Sequence, residues 1–424
     1  MKNSIKEMFR WKHWEHASFE NLKVLLRWCV FAVITGIVIG VVGTAFHYSL
    51  TFVSDLRTEH SWIVYLAPLG GLFVVWFYKV TGMEADKGTS YILISLRDSF
   101  PIKLIMAPLI FIGTVVTHLV GGSAGREGAA IQLGGSISYT IGRWMKLHRH
   151  DEKVIIMAGM AAGFAALFGT PIAAAVFTME VVNVGVLYYT AIVPCFLSAL
   201  IARMVAGYLG VENTTFQLLQ VPEVSAISLL QTIGLGILCA LVAILFCFVM
   251  HLVSNCYSQL TKNTYVYPII AGVIIIAGFW MFGMDYCGGG MDIIYEAVDG
   301  TARPEAFIMK IILTAVTLMA GMKGGEIVPS FFIGATFGCI MGPLIGLPAS
   351  FAAGMGMVTV FCGVTNCPLT SIFFAYEMFG SDAVPLIALG IAVSYLMSGY
   401  WGMYGTQQIV FSKIRGEKIN RRVH

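Results

Sequence analysis

Two glycine-rich runs hold the residues of this chain best placed to do chemistry. The first, Gly121-Gly-Ser-Ala-Gly-Arg-Glu-Gly128, sets Arg126 and Glu127 among glycines between two apolar stretches. Charge at membrane depth is costly, so an ionisable pair there marks an ion path or a paired structural site. The glycines allow a tight turn into a helix predicted to begin near Ala129. Unpaired amides at such a helix start attract an anion, or the Glu127 carboxylate when no anion is present. A carboxylate competing with an anion for one electropositive helix end is a gate. The plainer reading is an Arg126–Glu127 pair that only caps the helix. The second run, Gly324-Gly-Glu-Ile-Val-Pro329, places Glu326 before another helix, whose first turn suits Pro329. Gly334, Gly338 and Gly342 follow at a spacing of four, a close-packing face. Here the plainer reading has Glu326 bonding to backbone amides or to Lys323.

Other chemistries are poorly supported. Gly121-x-Ser123-x-Gly125 formally matches a hydrolase nucleophile elbow, but no strand precedes it to build the required α/β sheet. HExxH and P-loop motifs are absent, and Gly288–Gly290 lacks the strand and partners of a nucleotide site. The nine cysteines form no CxxC pair and lie mostly in apolar runs, so neither a metal nor a disulfide is expected. No cofactor and no enzymatic activity are anticipated. A net charge of +3 is too small to suggest a nucleic-acid partner.

The elements that must position the two acidic motifs are membrane helices. The 424 residues are 58% hydrophobic and only 12% charged, about half the charged share of a soluble domain. Apolar runs at 28–53, 62–80, 102–120, 154–180, 184–210, 226–254, 266–283 and 384–400 approach or exceed the length that spans a bilayer. Those at 330–346, 350–362 and 367–379 are shorter and interrupted by Gly or Pro, the mark of discontinuous helices around a binding site. Before them, residues 1–27 mix Trp and Phe with charge and suit an amphipathic cytoplasmic segment on the membrane surface. Lys2, Lys6, Arg10, Lys12, Lys23 and Arg27 open the chain, and Lys413, Arg415, Lys418, Arg421 and Arg422 close it. With the basic loop of Arg143, Lys146, Arg149 and Lys153, they predict cytoplasmic termini in a multi-pass protein of the cell membrane. Residues 411–424 read as a basic cytoplasmic tail with no regulatory domain after it.

The chain also repeats itself. Gly121, Gly125, Gly134 and Gly142 fall on Gly321, Gly325, Gly334 and Gly342 at an offset of 200. At an offset of 197, Pro171, Phe177 and Glu180 fall on Pro368, Phe374 and Glu377. We therefore expect two membrane repeats, 28–210 and 211–410, with a site between matching broken helices. The repeat alone is compatible with parallel or inverted halves.

Gly125-Arg-Glu-Gly-Ala129 resembles the GREGP signature of the chloride channel/transporter (CLC) family, and Gly325-Glu-Ile-Val-Pro329 resembles its GxFxP signature. The two Pro…Glu landmarks and Tyr404 in Gly402-Met-Tyr-Gly405 fit the same pattern, over roughly residues 30–415. The resemblance implies an all-α polytopic fold, an inverted repeat of tilted and broken transmembrane helices, assembled as a homodimer in the lipid bilayer. It further implies that Glu127 gates the anion and carries protons. The anion site would be formed by Thr89 in Gly88-Thr-Ser-Tyr-Ile92, by Gly128, by the amides at Glu326, Ile327 and Val328, and by the Tyr404 hydroxyl. Gly125, Arg126, Gly325 and Pro329 support the motifs, and Lys87 could raise the anion potential beside Thr89.

Departures from the family pattern are specific. Ala129 and Ile327 replace the proline of GREGP and the phenylalanine of GxFxP, and Val181 stands where chloride/proton antiporters keep an intracellular proton glutamate. Glu326-Ile-Val-Pro resembles the GGEVTP motif of the fluoride/proton branch, where that glutamate serves the proton path; that branch usually has methionine at the position of Thr89. The expected function is transport of chloride or fluoride coupled to protons. The alternative is a passive voltage- or pH-gated anion channel of the same fold.

Overall fold

The computed structural model describes residues 11–84, 88–98 and 100–423, so Lys87 and the first ten residues lie outside it. Helix α1 (Trp11–Glu59) is followed by a 3-10 turn, then α2 (Ala67–Val80) and α3 (Thr89–Asp98). Next come α4 (Met106–Leu119), α5 (Glu127–Trp144), α6 (Arg149–Phe168), α7 (Pro171–Glu180) and α8 (Ile192–Tyr208). The second half contains α9 (Ala226–Leu260), α10 (Val266–Phe282), α11 (Met291–Val298) and α12 (Ala306–Met319). It ends with α13 (Ile327–Leu344), α14 (Ala349–Thr365), α15 (Pro368–Phe379) and α16 (Val384–Met397). At 35 residues α9 is about 52 Å long, more than a bilayer's apolar thickness.

The two halves fold alike. Residues 101–150 and 301–350 carry the same succession of turn, helix and loop, position by position. Helix breaks coincide as well. Gly169 (φ +81°) ends α6 before Pro171 opens α7, and Asn366 (φ +60°) ends α14 before Pro368 opens α15. A left-handed residue stops each helix and a proline at its first position starts the next. The run at 154–180 is thus two helices, and the run expected to be broken at 330–346 is one continuous helix.

A two-fold axis relates the halves, and paired bonds cross it. Gly125 and Gly325 pair antiparallel, each amide donating to the other's carbonyl at 2.7 Å. The Ser123 amide donates to Thr317 Oγ1 and the Lys323 amide to Thr117 Oγ1, both at 3.1 Å. The acidic landmarks swap partners too. Glu180 accepts from the Leu369 and Thr370 amides and from Thr370 Oγ1 at 2.6–3.0 Å, at the start of α15. Glu377 accepts from the Ile172 and Ala173 amides at 2.9 and 2.8 Å, at the start of α7. Each glutamate caps a helix of the other repeat, satisfying amides that no helix can satisfy for itself.

Small residues set the close crossings. A methyl on Gly334 or Gly338 would lie 2.2 or 2.0 Å from the carbonyl oxygens of Gly356 and Ala352 on α14. In the first half, one on Gly134 would lie 2.1 Å from the Gly159 oxygen on α6. Lipid tails compete equally for apolar side chains, so tight backbone approach takes over the task of association. At the centre, Phe164, Phe168 and Phe177 of one repeat interlock with Phe331, Phe361 and Phe374 of the other.

One face gathers the basic segments. Arg27 pairs with Asp151 at 2.7 Å, Lys153 donates to the Arg97 carbonyl, and Arg97 donates to the Thr406 carbonyl. The segment read as a tail is folded: β2 (Gln408–Phe411) lies between β1 (Asn183–Val184) and β3 (Lys418–Arg422). Gln407 fixes it further by donating to the carbonyls of Val181 and Thr365 at 2.8 and 2.9 Å.

Candidate functional site

The starts of α5 and α13 meet head to head at the Gly125–Gly325 pair. Only glycine permits this approach: a methyl on Gly325 would stand 2.6 Å from the Gly128 amide nitrogen. Helix α5 begins at Glu127, two residues earlier than the sequence suggested, so Glu127 is itself in the first turn. Both helices direct unpaired amides and the positive ends of their dipoles at the junction.

Two cavities approach this junction from opposite sides. One, called outer after the orientation proposed below, is about 490 Å³ and ends on Gly125, Arg126, Glu127 and Val328. The inner one, about 550 Å³, ends on Thr89, Gln132, Glu326 and Tyr404. Between them the Glu127 side chain is fully buried. Its Oε2 accepts from the Arg126 amide at 3.1 Å, and its Oε1 lies 3.5 Å from Arg126 Nε. Arg126 is held in turn by His47 Nδ1 at 2.9 Å. The carboxylate thus sits on its own helix entrance, between the two cavities.

On the inner side, the Glu326 carboxylate faces the hydroxyls of Tyr404 and Thr89 and feels the charge of Glu127. Neither hydroxyl makes a hydrogen bond of ordinary geometry, although both are buried. Two buried donors with bonds to spare are what a dehydrated anion requires. A methyl on Gly128 would meet Thr89 Oγ1 at 3.1 Å and Glu326 Oε2 at 3.5 Å, so Gly128 completes the same small space. Ile327 and Val328 form the first turn of α13 beside it, with Pro329 third. Lys323 does not serve as the counter-ion imagined from sequence alone: its ammonium lies over the Tyr78 ring at 4.1 Å, at the inner cavity wall. Val181 is buried, and its side chain has no proton to offer.

Several site residues escaped the sequence reading. Gln132, fully buried, donates to the Gly128 carbonyl at 3.3 Å and leaves its own oxygen unpartnered at the inner cavity. His251 and Ser254 of α9 line that cavity, and Arg57 and His118 line the outer one. Gln132 carries a legible signal, a strongly polar residue in the otherwise small and apolar start of the helix after Glu127, whereas Arg57 lies beyond the apolar run at 28–53 and carries none. His251 has none, because only the fold brings α9 to the cavity.

Two repeats whose helix starts meet head to head between two cavities define a membrane transporter or channel of inverted-repeat architecture. A sequence model of the voltage gated chloride channel family matches residues 70–399, and the chain belongs to that family. A "Chloride/fluoride channel protein" of Pseudomonas syringae pv. tomato is 35% identical, covering 92% of this chain and 88% of its own length. An H(+)/Cl(-) exchange transporter, ClcA of Vibrio campbellii, is 24% identical, covering 92% and 90%. Among solved structures, a CLC-type fluoride/proton antiporter superposes with a TM-score of 0.87 at 29% identity, covering 90% of this chain and 98% of its own. A slow cyanobacterial Cl-/H+ antiporter shares the fold at 21% identity and a TM-score of 0.79.

Proposed function

We propose that this protein exchanges fluoride for protons across the cell membrane, as a homodimer with both termini in the cytoplasm. The observation that carries the reading is the placement of Glu326, half-buried against the Thr89 and Tyr404 hydroxyls and within electrostatic reach of Glu127. As a carboxylate, Glu326 repels an anion from that space. Once protonated it becomes a third donor beside the two hydroxyls. Proton and anion occupancy are therefore linked at one point, as exchange requires. The small space at Gly128 and the demand for strong donors favour fluoride, the halide that accepts hydrogen bonds most strongly.

Glu127 is then the outer carrier of the proton and Glu326 the inner one, which takes over the task that Val181 cannot perform. The likeness to the fluoride/proton antiporter and to the chloride/fluoride channel protein supports this assignment. The basic face formed by Arg27, the loop after α5 and the Thr406 region supports a cytoplasmic position for both ends.

The test is a liposome assay with purified protein. A fluoride gradient should drive protons uphill, and chloride should do so poorly. Fluoride flux that leaves protons unmoved would make the protein a passive channel. Uphill proton movement driven by chloride at least as well as by fluoride would place it with the chloride exchangers.

A further inference from the structure

The two cavities are one structure built twice. A shift of 200 residues carries Gly88, Thr89 and Ser90 of the inner wall onto Gly288, Gly289 and Gly290 of the outer wall. It carries Ser254 onto Ser54 and Glu326 onto Arg126. The turns bend alike, with φ of +64° at Gly88 and +58° at Gly288, and each leads into a short helix, α3 or α11. Even the contacts correspond. A methyl on Gly128 would meet Thr89 Oγ1 at 3.1 Å, and one on Gly289 would meet Val328 Cγ1 at 3.2 Å.

The inner turn is the anion site of the proposed function, whereas its outer mate has no role in that reading. The outer turn is nonetheless the more electropositive of the two. Arg126 stands where the inner cavity has Glu326, and Arg57 reaches in from α1. Arg57 is only 6% exposed; it donates one N–H to the His118 carbonyl, and its Nε has no partner. Its Nη2 lies 3.8 Å from where a Cβ of Gly288 would stand. Lys310, fully buried behind the turn, donates to the Gly288 carbonyl at 2.7 Å. Among the described residues the amides of Gly289 and Gly290 have no acceptor.

The acidic groups of this cavity are differently placed. Asp55, Asp292 and Glu296 are exposed, and Asp285 is paired with Arg303 at 2.9 Å. Solvent screens those charges far more than it screens the buried guanidinium. A buried cation with an unspent N–H, set over a turn with unspent amides, lacks an anion.

We propose that Arg57 and the Gly288–Gly290 turn form a second site for a small monovalent anion, on the outer side of Glu127. It is separate from the helix entrance that the Glu127 carboxylate itself occupies. An anion leaving past Glu127 rests here before it reaches the medium, and the carboxylate can swing back behind it.

Crystals soaked in bromide should show an anomalous peak beside Arg57 and Gly289, lost in Arg57→Gln. Gly289→Ala should lose it too, through a methyl placed over the turn with Arg57 intact. In liposomes, external fluoride should slow fluoride efflux. Arg57→Gln should raise the external half-inhibiting concentration about tenfold, the worth of one charged hydrogen bond, and leave the internal concentration dependence unchanged. No bromide beside Arg57 in the wild type overturns the proposal. A variant whose internal and external dependences shift together also overturns it, since a structural brace would behave that way. The bromide measurement needs no transport, so it stands even if the fluoride/proton reading fails.

Discussion

Arg126 and Glu326 occupy the same position in the two repeats, one before α5 and one before α13, and they carry opposite charge. The two-fold axis makes the two entrances alike in backbone, and this pair makes them unlike in sign. In the proposed exchange an anion meets a fixed cation at one entrance and, at the other, a carboxylate that must first take up a proton, so the two entrances differ in side chain on a shared frame.

Replacing Glu127 by Gln should abolish proton coupling while fluoride flux stays measurable. The amide cannot carry a proton, and without charge it competes poorly for the entrance of α5. Simultaneous fluoride-electrode and pH recordings on liposomes check this. Proton movement at the wild-type ratio in the Gln variant would refute the role given to Glu127.

Glu326→Gln should remove or sharply reduce proton exchange, with the fold retained. The amide can still face the Tyr404 and Thr89 hydroxyls, so the protein should elute from a sizing column as the wild type does. A merely structural Glu326 predicts instead that stability and transport fall together.

Tyr404→Phe should weaken halide binding by about 1–3 kcal/mol, the cost of losing one donor in a dry site. Tyr404 is almost wholly buried and its hydroxyl is otherwise unpartnered, so little else should change. Equal fluoride affinity of the two proteins in calorimetry would remove Tyr404 from the site.

Glu377→Ala should destabilise the protein by about 1–2 kcal/mol by uncapping α7. The Ile172 and Ala173 amides lose the carboxylate that accepts from them, while the residues of the ion site are untouched. Thermal unfolding in detergent should register a lower midpoint, with transport per folded molecule unaltered. An unchanged midpoint would mean that water caps the helix equally well.

Gly338→Ala should be more damaging than its single methyl suggests. That methyl would stand 2.0 Å from a backbone oxygen of α14, and backbone cannot step aside. Yield and monodispersity should fall steeply, whereas Gly416→Ala, with open space around it, should match the wild type.

Much of this was legible in the sequence because symmetry writes the same constraint twice. Gly125 and Gly325, the Pro…Glu landmarks and the two acidic motifs each recur as contacts across or beside the two-fold, whereas Gly134 and Gly334 recur as close crossings within their own halves. The landmarks were recognisable before their reason was: nothing in PIAAAVFTME says that Glu180 will cap α15, since that bond joins residues 190 apart. Arg57 and His251 sit in long helices whose approach to the cavities is settled by tertiary packing. The terminal hairpin is hard to foresee because its strands are short, β3 is rich in charge, and β2 is anchored by pairing with β1 of the first repeat, far away in sequence.

The exchanged caps of Glu180 and Glu377 also order events during synthesis. When the first half leaves the ribosome, the start of α7 has no acceptor for its amides and Glu180 has nothing to bind. Both needs are met only after residue 377 has been made. The first half must therefore wait in the bilayer unfinished, and a truncated chain ending before α15 presents the cell's quality control with a helix start it cannot close.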